Sequence, residues 1–567
     1  MSMKKAWHIK FLRIGIWSTG VLVILLIATH IFLNTYVPSI IRNKINHLVI
    51  DGSDSLYKCS IGKISINIWA GNASIENINI TIDSVKYKQQ KKSGKLPNIT
   101  YELRLSEGSI TGLRIFPLIF TKKIIIETIR VEKANILLCR QHKEKKKPAP
   151  TEESLWKTMN PYIKGIYINS ISLVKTKFSY RHSENEKDVS FAYKDCSVNL
   201  QHIRIDSIGA SNSSRILFTE DISIRFAGLN YFTPDSMYNL KMDSLSYSSF
   251  SKKIKMKNFS LKPTMTPAAF TKKHGMQIDI FETYITELTA LNFKIEKIFT
   301  DNELCVDSII LKKPIIKINR DRTAHFDTTS QYGKYPNEAL AKAPFVIKIP
   351  MVILDEAEIH YVEIQKLSHK TGDAFFTKVT GTITNITNYK EDIEKNNHCK
   401  FNLNGYFLKH GKLHVQLDFD LASTTGNYNA VADMGPISVD ELNTVFVPFA
   451  NVHLKTMNMH AGHIKFSGNS KGITGTARLL YDDLKIEILK PNPKTHQVKK
   501  QGFVSFFANL FVIRAHNRVG KKEVIANHIY VHRKRRQPFA NLIWEFFFES
   551  LKKVILKVPI PNLKVEM

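Results

Sequence analysis

Apolar and polar residues alternate with a period of two along most of the chain. In residues 64–83, isoleucine recurs at every second position on both sides of a turn at Gly71 and Asn72. The same pattern recurs in residues 100–106, 238–247, 253–261, 412–421, 462–468 and 474–488. Because strand side chains point alternately to two faces, this pattern predicts half-buried antiparallel strands. Continuous apolar runs are few, which disfavours a parallel sheet that is buried on both faces.

One alternating segment occurs twice. Residues 126–136 (IETIRVEKANI) are matched by residues 306–316 (VDSIILKKPII), and residues 166–180 are matched by residues 348–361 at nearly the same offset. Two matches in the same order favour an ancient duplication, over about 110–180 and 288–361, against convergent strand patterning. A duplicated block of strands would lengthen one sheet.

The chain begins with a candidate membrane anchor. Residues 14–33 are apolar and long enough to cross a bilayer as a helix, and four cations precede them within residues 1–13. The positive-inside rule then predicts a cytoplasmic tail (1–13), a transmembrane helix (14–36) and a remainder on the far side. The alternative is a cleaved signal peptide. Its apolar core would be shorter and a small-residue cleavage site would follow it, so we expect the anchor to be retained.

A second helix is predicted near the C-terminus. Residues 538–558 carry one broad apolar face, opposite a face of asparagine, glutamate and lysine, and a basic run precedes them. Two interpretations are open: a helix that caps the end of the sheet, or an interfacial helix on anionic lipid. The second makes membrane-interface candidates of Arg533, Lys534, Arg535, Arg536, Phe539, Phe546 and Phe547.

Candidate chemistry is scarce. The chain has no nucleophile-elbow, zinc-protease, P-loop or dinucleotide motif, and His460 and His463 have no evident third metal ligand. Its five cysteines are scattered, as small core residues would be. The formal charge of +31 lies in loops without interleaved aromatic residues, which disfavours nucleic acid and favours anionic headgroups. We therefore predict no enzymatic activity, no metal and no cofactor.

Several segments together resemble the AsmA-like family of envelope proteins. They are the anchor followed by VPSIIRNKIN, then ISINIWAGNASIENINI, LRIFPLIFTKKIIIETIRVEKANILL, and the long segment from DMGPISVDELNTVFVPFA to LLYDDLKIEIL. The resemblance, shared with TamB-like and bridge-like lipid-transfer proteins, implies a long curved antiparallel sheet with a hydrophobic groove. It also implies phospholipid movement between two membranes, and it supplies no catalytic residues.

These observations predict a mainly β protein with few helices. A repetitive β-groove (37–500) would follow the anchor, and C-terminal strands with the amphipathic helix (501–567) would end the chain. A one-sided apolar sheet with few covering helices can take acyl chains as its missing apolar layer. The groove candidates are Ile129, Val131, Ile171, Leu173, Ile309, Leu311, Val352 and Leu354.

The expected function is binding and movement of phospholipid for outer-membrane homeostasis, by a single-pass inner-membrane protein with its bulk in the periplasm. Outer-membrane or periplasmic carrier proteins are the expected protein partners. The alternatives are an envelope scaffold or regulator whose apolar face is filled by its own side chains and, third, an anchored enzyme.

Overall fold

A computed structural model of the protein describes residues 38–40, 42–43, 45–47, 49–51, 53–67, 70–97, 99–140, 156–157, 160, 163–181, 191–211, 215, 218–233, 235–325, 329–492, 494–520 and 522–557. The predicted cytoplasmic tail and transmembrane helix lie outside these residues. Within them, no helix combines the length and the apolar composition that crossing a bilayer requires. The chain divides into two units, residues 1–231 with 247–250, and residues 232–246 with 251–567.

The first unit is a sheet with short helices at the ends of its strands. Its strands are β1 (Tyr57–Ile61), β2 (Ile64–Asn67), β3 (Asn72–Ile82), β4 (Ile99–Thr111), β5 (Lys123–Arg140), β6 (Gly165–Arg181), β7 (Phe191–Ile205) and β8 (Asp221–Phe232). Its helices are α1 (Ser84–Lys92), α2 (Ile115–Thr121) and α3 (Ser207–Ser211). Both β1 and β2 pair with β3, and β4 to β8 then follow in chain order.

The second unit is built the same way and continues further. Its strands are β9 (Tyr238–Ser248), β10 (Lys253–Pro263), β11 (Asp279–Leu291), β12 (Glu303–Cys305), β13 (Ser308–Asp321), β14 (Val346–Ile364), β15 (Thr371–Thr387), β16 (His398–Phe407), β17 (Gly411–Asp420), β18 (Tyr428–Met434), β19 (Val452–Gly468), β20 (Gly472–Pro491), β21 (Val498–Lys500) and β22 (Ile525–His532). Its helices are α4 (Pro267–His274), α5 (Ile295–Thr300), α6 (Pro336–Ala341), α7 (Lys390–Lys395), α8 (Val439–Ala450), α9 (Gly502–Phe507) and α10 (Phe539–Ile555).

The mainly β class is as predicted, but the sheets are mixed and the prediction of purely antiparallel pairing is wrong. β5 pairs with β6 in parallel, and β14 pairs in parallel with both β12 and β13. Alternation reports which face a residue occupies and says nothing of strand direction. Residues 141–164 and 322–345, which connect the paired strands, have the length that a parallel crossover needs.

The two units share one internal plan. In the first unit, β3, β4, β5, β6 and β7 pair in this order, and in the second unit β10, β11, β13, β14 and β15 do the same. In both units the third of these four pairings is the parallel one. Left-handed backbone recurs 180 or 181 residues apart, at Asn77 and Asn258, Lys122 and Asn302, Lys133 and Lys313, and Lys175 and Glu356. Such positions are uncommon for residues other than glycine, so their recurrence is what duplication of one unit produces.

The largest core lies at the C-terminal end of the second unit. There α8 packs on β15 and β19, and α10 packs on β20 and β22. α10 forms within the stretch predicted as an amphipathic helix, and its Leu542, Phe546 and Val554 are at most 1% exposed. Packing against the sheet, rather than against lipid, therefore accounts for the buried side of this helix.

Candidate functional site

Two adjacent rows of apolar side chains cross the sheet of the first unit. Residues directly opposite each other on neighbouring strands share a face of the sheet. The first row is Ile66, Ala73, Ile110, Ile129, Ile171, Leu200 and Ile222. The second row, two residues along each strand, is Ile64, Ile75, Gly108, Val131, Leu173, Val198 and Ile224.

The second unit carries the same two rows across more strands. One is Ile254, Ala290, Ile309, Val352, Ile383, Phe401, Leu417, Ala430, Phe466, Gly475 and Ile529. The other is Met256, Leu288, Leu311, Leu354, Gly381, Leu403, Val415, Ala432, Ile464, Ala477 and Ala526. No charged or hydrogen-bonding side chain interrupts either row.

The opposite face is mainly polar. In the first unit the residues between the two rows are Ser74, Ser109, Arg130, Ser172, Asn199 and Ser223. In the second unit they are Lys255, Thr289, Thr382, Asn402, Gln416, Lys465 and Thr476, together with the apolar Ile310, Ile353 and Val431. The first sheet therefore has one apolar and one polar face along these rows, as the alternation predicts, whereas in the second sheet three apolar residues interrupt the polar face.

All eight predicted groove residues lie in these rows, as four cross-strand pairs. The pairs are Ile129 with Ile171, Val131 with Leu173, Ile309 with Val352, and Leu311 with Leu354. Seven of the eight are half-buried, and Val352 is 7% exposed. The structure brings each set of four together within its own unit. A role in lipid binding stays a prediction.

Burial along the rows increases toward the C-terminus. Leu288, Leu311 and Leu354 are half-buried. On the later strands Ala430 is 3% exposed and Ile529 is not exposed at all, because α8 and α10 cover this part of the face. The apolar face is thus partly open to solvent over β10 to β15, where Ala290 and Val352 are nevertheless only 4% and 7% exposed, and is more fully covered over β18 to β22, where Ala432 and Ile464 stay half-buried.

A cavity of about 460 Å³ lies under the helical cover. Ala432, Ile464 and Ala477, three members of the second row, line it, so that the row leads directly into the cavity. The rest of its wall includes Met434, Met457, Met459, Phe446, Phe449, Trp544, Phe547, Phe548 and Leu551. Its volume falls within the roughly 300–1,000 Å³ that is typical of sites for small organic ligands. Methionine side chains adapt readily to irregular apolar ligands.

Specific hydrogen bonds hold the cover in place. The Asn443 side chain of α8 accepts from the Leu454 amide at 2.8 Å and donates to the Leu454 carbonyl at 2.9 Å. Asn509 lies in a π-helical turn, Ala508–Val512, that lines the cavity beside the two cover helices, and it binds the backbone of Ile486 in the same way, at 2.9 and 2.7 Å. Phe449 of α8 packs over Gly372, where an added Cβ would lie 2.5 Å from the phenyl ring. These contacts fix the cover to the strands rather than leave it loosely docked.

The basic turn before α10 is only partly at the surface. Arg533 is 1% exposed, donates to the Glu338 carboxylate at 2.9 and 3.1 Å, and lies 3.4 Å from the centre of the Tyr335 ring. Phe546 is also 1% exposed, so both side chains are enclosed by the protein. Phe539 and Phe547 are half-buried. Lys534, Arg535 and Arg536 are exposed, although Lys534 binds Glu545.

Several ionisable groups of the described residues form structural pairs or are buried. Burial opposes ionisation of Glu338, yet the hydrogen bonds from Arg533 and two backbone amides hold the pKa of this carboxyl below its usual range. Burial raises the pKa of the Cys196 and Cys399 thiols to about 11, which makes them unreactive. His460 binds Asp482 and His463 binds Asp433, so the two imidazoles do not converge. Within the described ranges, no group of three or more His, Cys, Asp or Glu side chains is placed to hold a metal ion.

Sequence reasoning missed the cavity. Residues 439–454 read as a helix, but nothing in a linear pattern shows that α8 and α10 lie over the same strands. One signal was available in the sequence. The apolar face of α8, with Leu442, Val445 and Phe449, must pack against another apolar surface. No protein-family model matches the chain, and no curated protein matches it significantly. Membership of the AsmA-like family therefore stays a prediction.

Proposed function

We propose that the protein binds phospholipid acyl chains along its apolar sheet face and moves them between envelope membranes, as a member of the AsmA-like group. The observation that carries this proposal is the pair of uninterrupted apolar rows, which are half-buried over several strands and lead into an apolar cavity. Half-buried isoleucine and leucine side chains in neighbouring strands would gain about 0.8 kcal/mol for each methylene group that a lipid buries against them.

The polar face supports the same proposal. A sheet that is apolar on one side requires a second layer, and in the part of the chain that the structure describes the largest helices, α8 and α10, provide that layer over the C-terminal strands. An acyl chain supplies it elsewhere and leaves the charged headgroup in water. In this proposal the protein is held in the inner membrane, acts in the periplasm and delivers lipid to an outer-membrane or periplasmic carrier.

A second candidate function is an envelope scaffold that transports nothing. The core over β18 to β22 favours it, because in this part the protein's own helices cover the apolar face and leave only the cavity unfilled. If the rest of the face were covered in the same way by a partner protein, the chain would be an assembly platform without bound lipid.

A lipid inventory separates the two candidates. The full chain is extracted gently, purified, and its bound lipids are identified and counted by mass spectrometry. Lipid transport predicts at least one phospholipid for each chain, retained through size-exclusion chromatography. A protein that carries only the extraction detergent, in amounts set by a micelle, would contradict the transport proposal and favour the scaffold.

A further inference from the structure

Four large apolar side chains of the first unit are exposed to solvent. Phe116 and Phe120 of α2 are 75% and 78% exposed, Ile208 of α3 is 58% exposed, and Phe250 is 88% exposed. The two α2 rings stack on each other with centroids 6.4 Å apart. Single exposed apolar residues are ordinary, but several in one region usually mark a contact surface.

All four lie at the same end of the strands. α2 connects the end of β4 to the start of β5, where Ile124 is opposite Ile166 and Ile166 is opposite Ile205. The end of β7, which α3 follows, is therefore at the same end of the sheet. The Phe250 amide donates to the Asp221 side chain at 3.1 Å, which places Phe250 at the start of β8. Strand spacing puts the four within about 20 Å of one another.

The surroundings of α2 are cationic. Arg114, Lys122 and Lys123 flank it and are exposed. The Lys164 amide donates to the Lys122 carbonyl at 2.9 Å, which adds a fourth exposed cation. Of the acidic residues described at this end, Asp206 pairs with Arg204, and Glu220 lies near His202 and Arg215. Glu127 accepts from Asn169, and Asp221 accepts from Ser249 and Phe250, so these two keep their negative charge beside the cations.

The duplicated unit shows that the fold does not require these phenylalanines. In the second unit, α5 occupies the place of α2 between the equivalent strands, and reads IEKIFT where α2 reads IFPLIFT. The residues equivalent to Phe116 and Phe120, at an offset of 180, are Glu296 and Thr300. α3 reads SIGAS, whereas α7, which follows the equivalent strand, reads KEDIEK. The two exposed phenylalanines of α2 therefore belong to one copy only, although the equivalent end of the second unit exposes Ile298 and Phe345, each at 40%.

We propose that this end of the first unit, formed by α2, α3 and the turn at Phe250, docks on an anionic bilayer surface. Exposed aromatic rings beside lysine and arginine are the combination that enters the interfacial layer of anionic membranes. The rings would insert among the headgroups, and the flanking cations would contact phosphate. This contact is distinct from the apolar rows and would hold whether or not they carry lipid.

Site-specific photo-crosslinking tests the docking. Benzoyl-phenylalanine replaces Phe120 or Phe250 in the full chain, and replaces Val519 as the matched control. Val519 is 72% exposed but belongs to the second unit, away from the proposed anchor in sequence. The protein is irradiated in vesicles of phosphatidylethanolamine and phosphatidylglycerol, and adducts are identified by mass spectrometry. We expect phospholipid adducts at positions 120 and 250 and few at 519. Equal yields at all three positions would overturn the proposal, as would protein adducts alone.

A double variant of α2 provides a second test of the docking. Phe116→Glu with Phe120→Thr gives α2 the two residues found in the second copy, and should lower the lipid adduct at position 250 by about tenfold. Val519→Ser should leave it unchanged, and vesicles of phosphatidylcholine alone should give a low yield with every variant. An unchanged adduct in the double variant would contradict the proposal.

A carried lipid must also be distinguished from a bilayer. The same crosslinkers are irradiated in protein held in amphipol without vesicles, where a lipid bound along the apolar rows remains but no bilayer is present. Docking predicts that the adducts at positions 120 and 250 disappear. Adducts that persist would show that these side chains contact carried lipid, and would overturn the docking proposal. If the purified protein holds no phospholipid but the vesicle adducts at positions 120 and 250 form, only the transport proposal is overturned.

Discussion

The Tyr57 hydroxyl accepts a hydrogen bond from the backbone amide of Tyr101 at 3.2 Å. The second unit repeats this contact, because the Tyr238 hydroxyl accepts from the Phe281 amide at the same 3.2 Å. Burial raises the pKa of both phenols. A side chain that binds a strand backbone at the same place in both copies belongs to the plan of the duplicated unit.

Removing either hydroxyl should therefore have the same effect. Tyr57→Phe and Tyr238→Phe are each expected to lower the free energy of unfolding of their unit by about 1 kcal/mol, the net value of one such hydrogen bond. Urea denaturation of the single and double variants measures this. Tyr530→Phe is the control, since Tyr530 is 59% exposed and its substitution should cost much less. Clearly unequal effects of the two changes would contradict equivalence of the units.

The buried ion pair of Arg533 and Glu338 should stabilise the fold only when both side chains are present. Arg533→Met leaves Glu338 without its cation and is expected to cost about 3–5 kcal/mol, and Glu338→Met should cost a similar amount. The double variant should recover most of this loss, because it buries no unpaired charge. A double-mutant cycle, measured by chemical denaturation, gives the coupling free energy between Arg533 and Glu338. Additive losses in the double variant would show that the two side chains act independently.

Buried tyrosines should make the second unit sensitive to alkali. Burial raises the pKa of Tyr335 to about 12, and also raises the pKa values of Tyr361, Tyr428 and Tyr481. The unfolded chain ionises these phenols near pH 10, so the stability they contribute is complete below pH 10 and is lost as pH rises toward 12. Urea midpoints at increasing pH should fall in this window. Tyrosinate absorption should show fewer ionised phenols at pH 11 in the folded protein than in urea.

Two of these tyrosines should respond oppositely to loss of the hydroxyl. The Tyr335 hydroxyl donates to the Gln537 carbonyl at 3.2 Å, whereas the Tyr428 hydroxyl is buried and has no hydrogen-bond partner among the described residues. Tyr335→Phe is expected to destabilise the protein by about 1 kcal/mol, and Tyr428→Phe to stabilise it by a similar amount. Thermal denaturation at neutral pH compares them. Destabilisation by Tyr428→Phe would indicate a partner for its hydroxyl.

A charge on the apolar rows should separate open from sealed parts of the face. Leu311 is half-buried, so Leu311→Asp is expected to leave a protease-resistant protein with less bound phospholipid. Ile529 lies in the parallel row beneath α10 and is fully buried, so Ile529→Asp buries an unpaired charge and should unfold the C-terminal core. Limited proteolysis and lipid counting measure both effects. Loss of the folded protein in Leu311→Asp would favour the scaffold, and unchanged lipid would remove Leu311 from the path.

The apolar face was predictable because strand alternation alone places side chains on it. Ile129 and Val131, or Ile309 and Leu311, are separated by one residue, and no tertiary information is needed to give them a common face. The match between residues 126–136 and 306–316 likewise rests on local pattern. Strand direction was not predictable in this way, because a strand of the same sequence pattern can pair in parallel or antiparallel fashion.

Long-range partners explain the remaining differences. Arg533 stands in a run of four cations that resembles a membrane contact, and its partner Glu338 is 195 residues away in the sequence. The apolar stripe of α10 fits a bilayer or a protein core equally well. Only the position of α10 on β20 and β22 decides between them. The same position creates the cavity, which no local sequence pattern shows.

The central claim is that acyl chains lie along the apolar rows, and a crosslinking series along one row tests it most directly. Benzoyl-phenylalanine is placed at Leu288, Leu311, Leu354, Leu403 and Val415 of the full chain, and at Thr382, Asn402 and Gln416 on the polar face. We predict phospholipid adducts at consecutive positions of the row and none on the polar face. Adducts that are absent from the row, or equally frequent on both faces, would contradict the account.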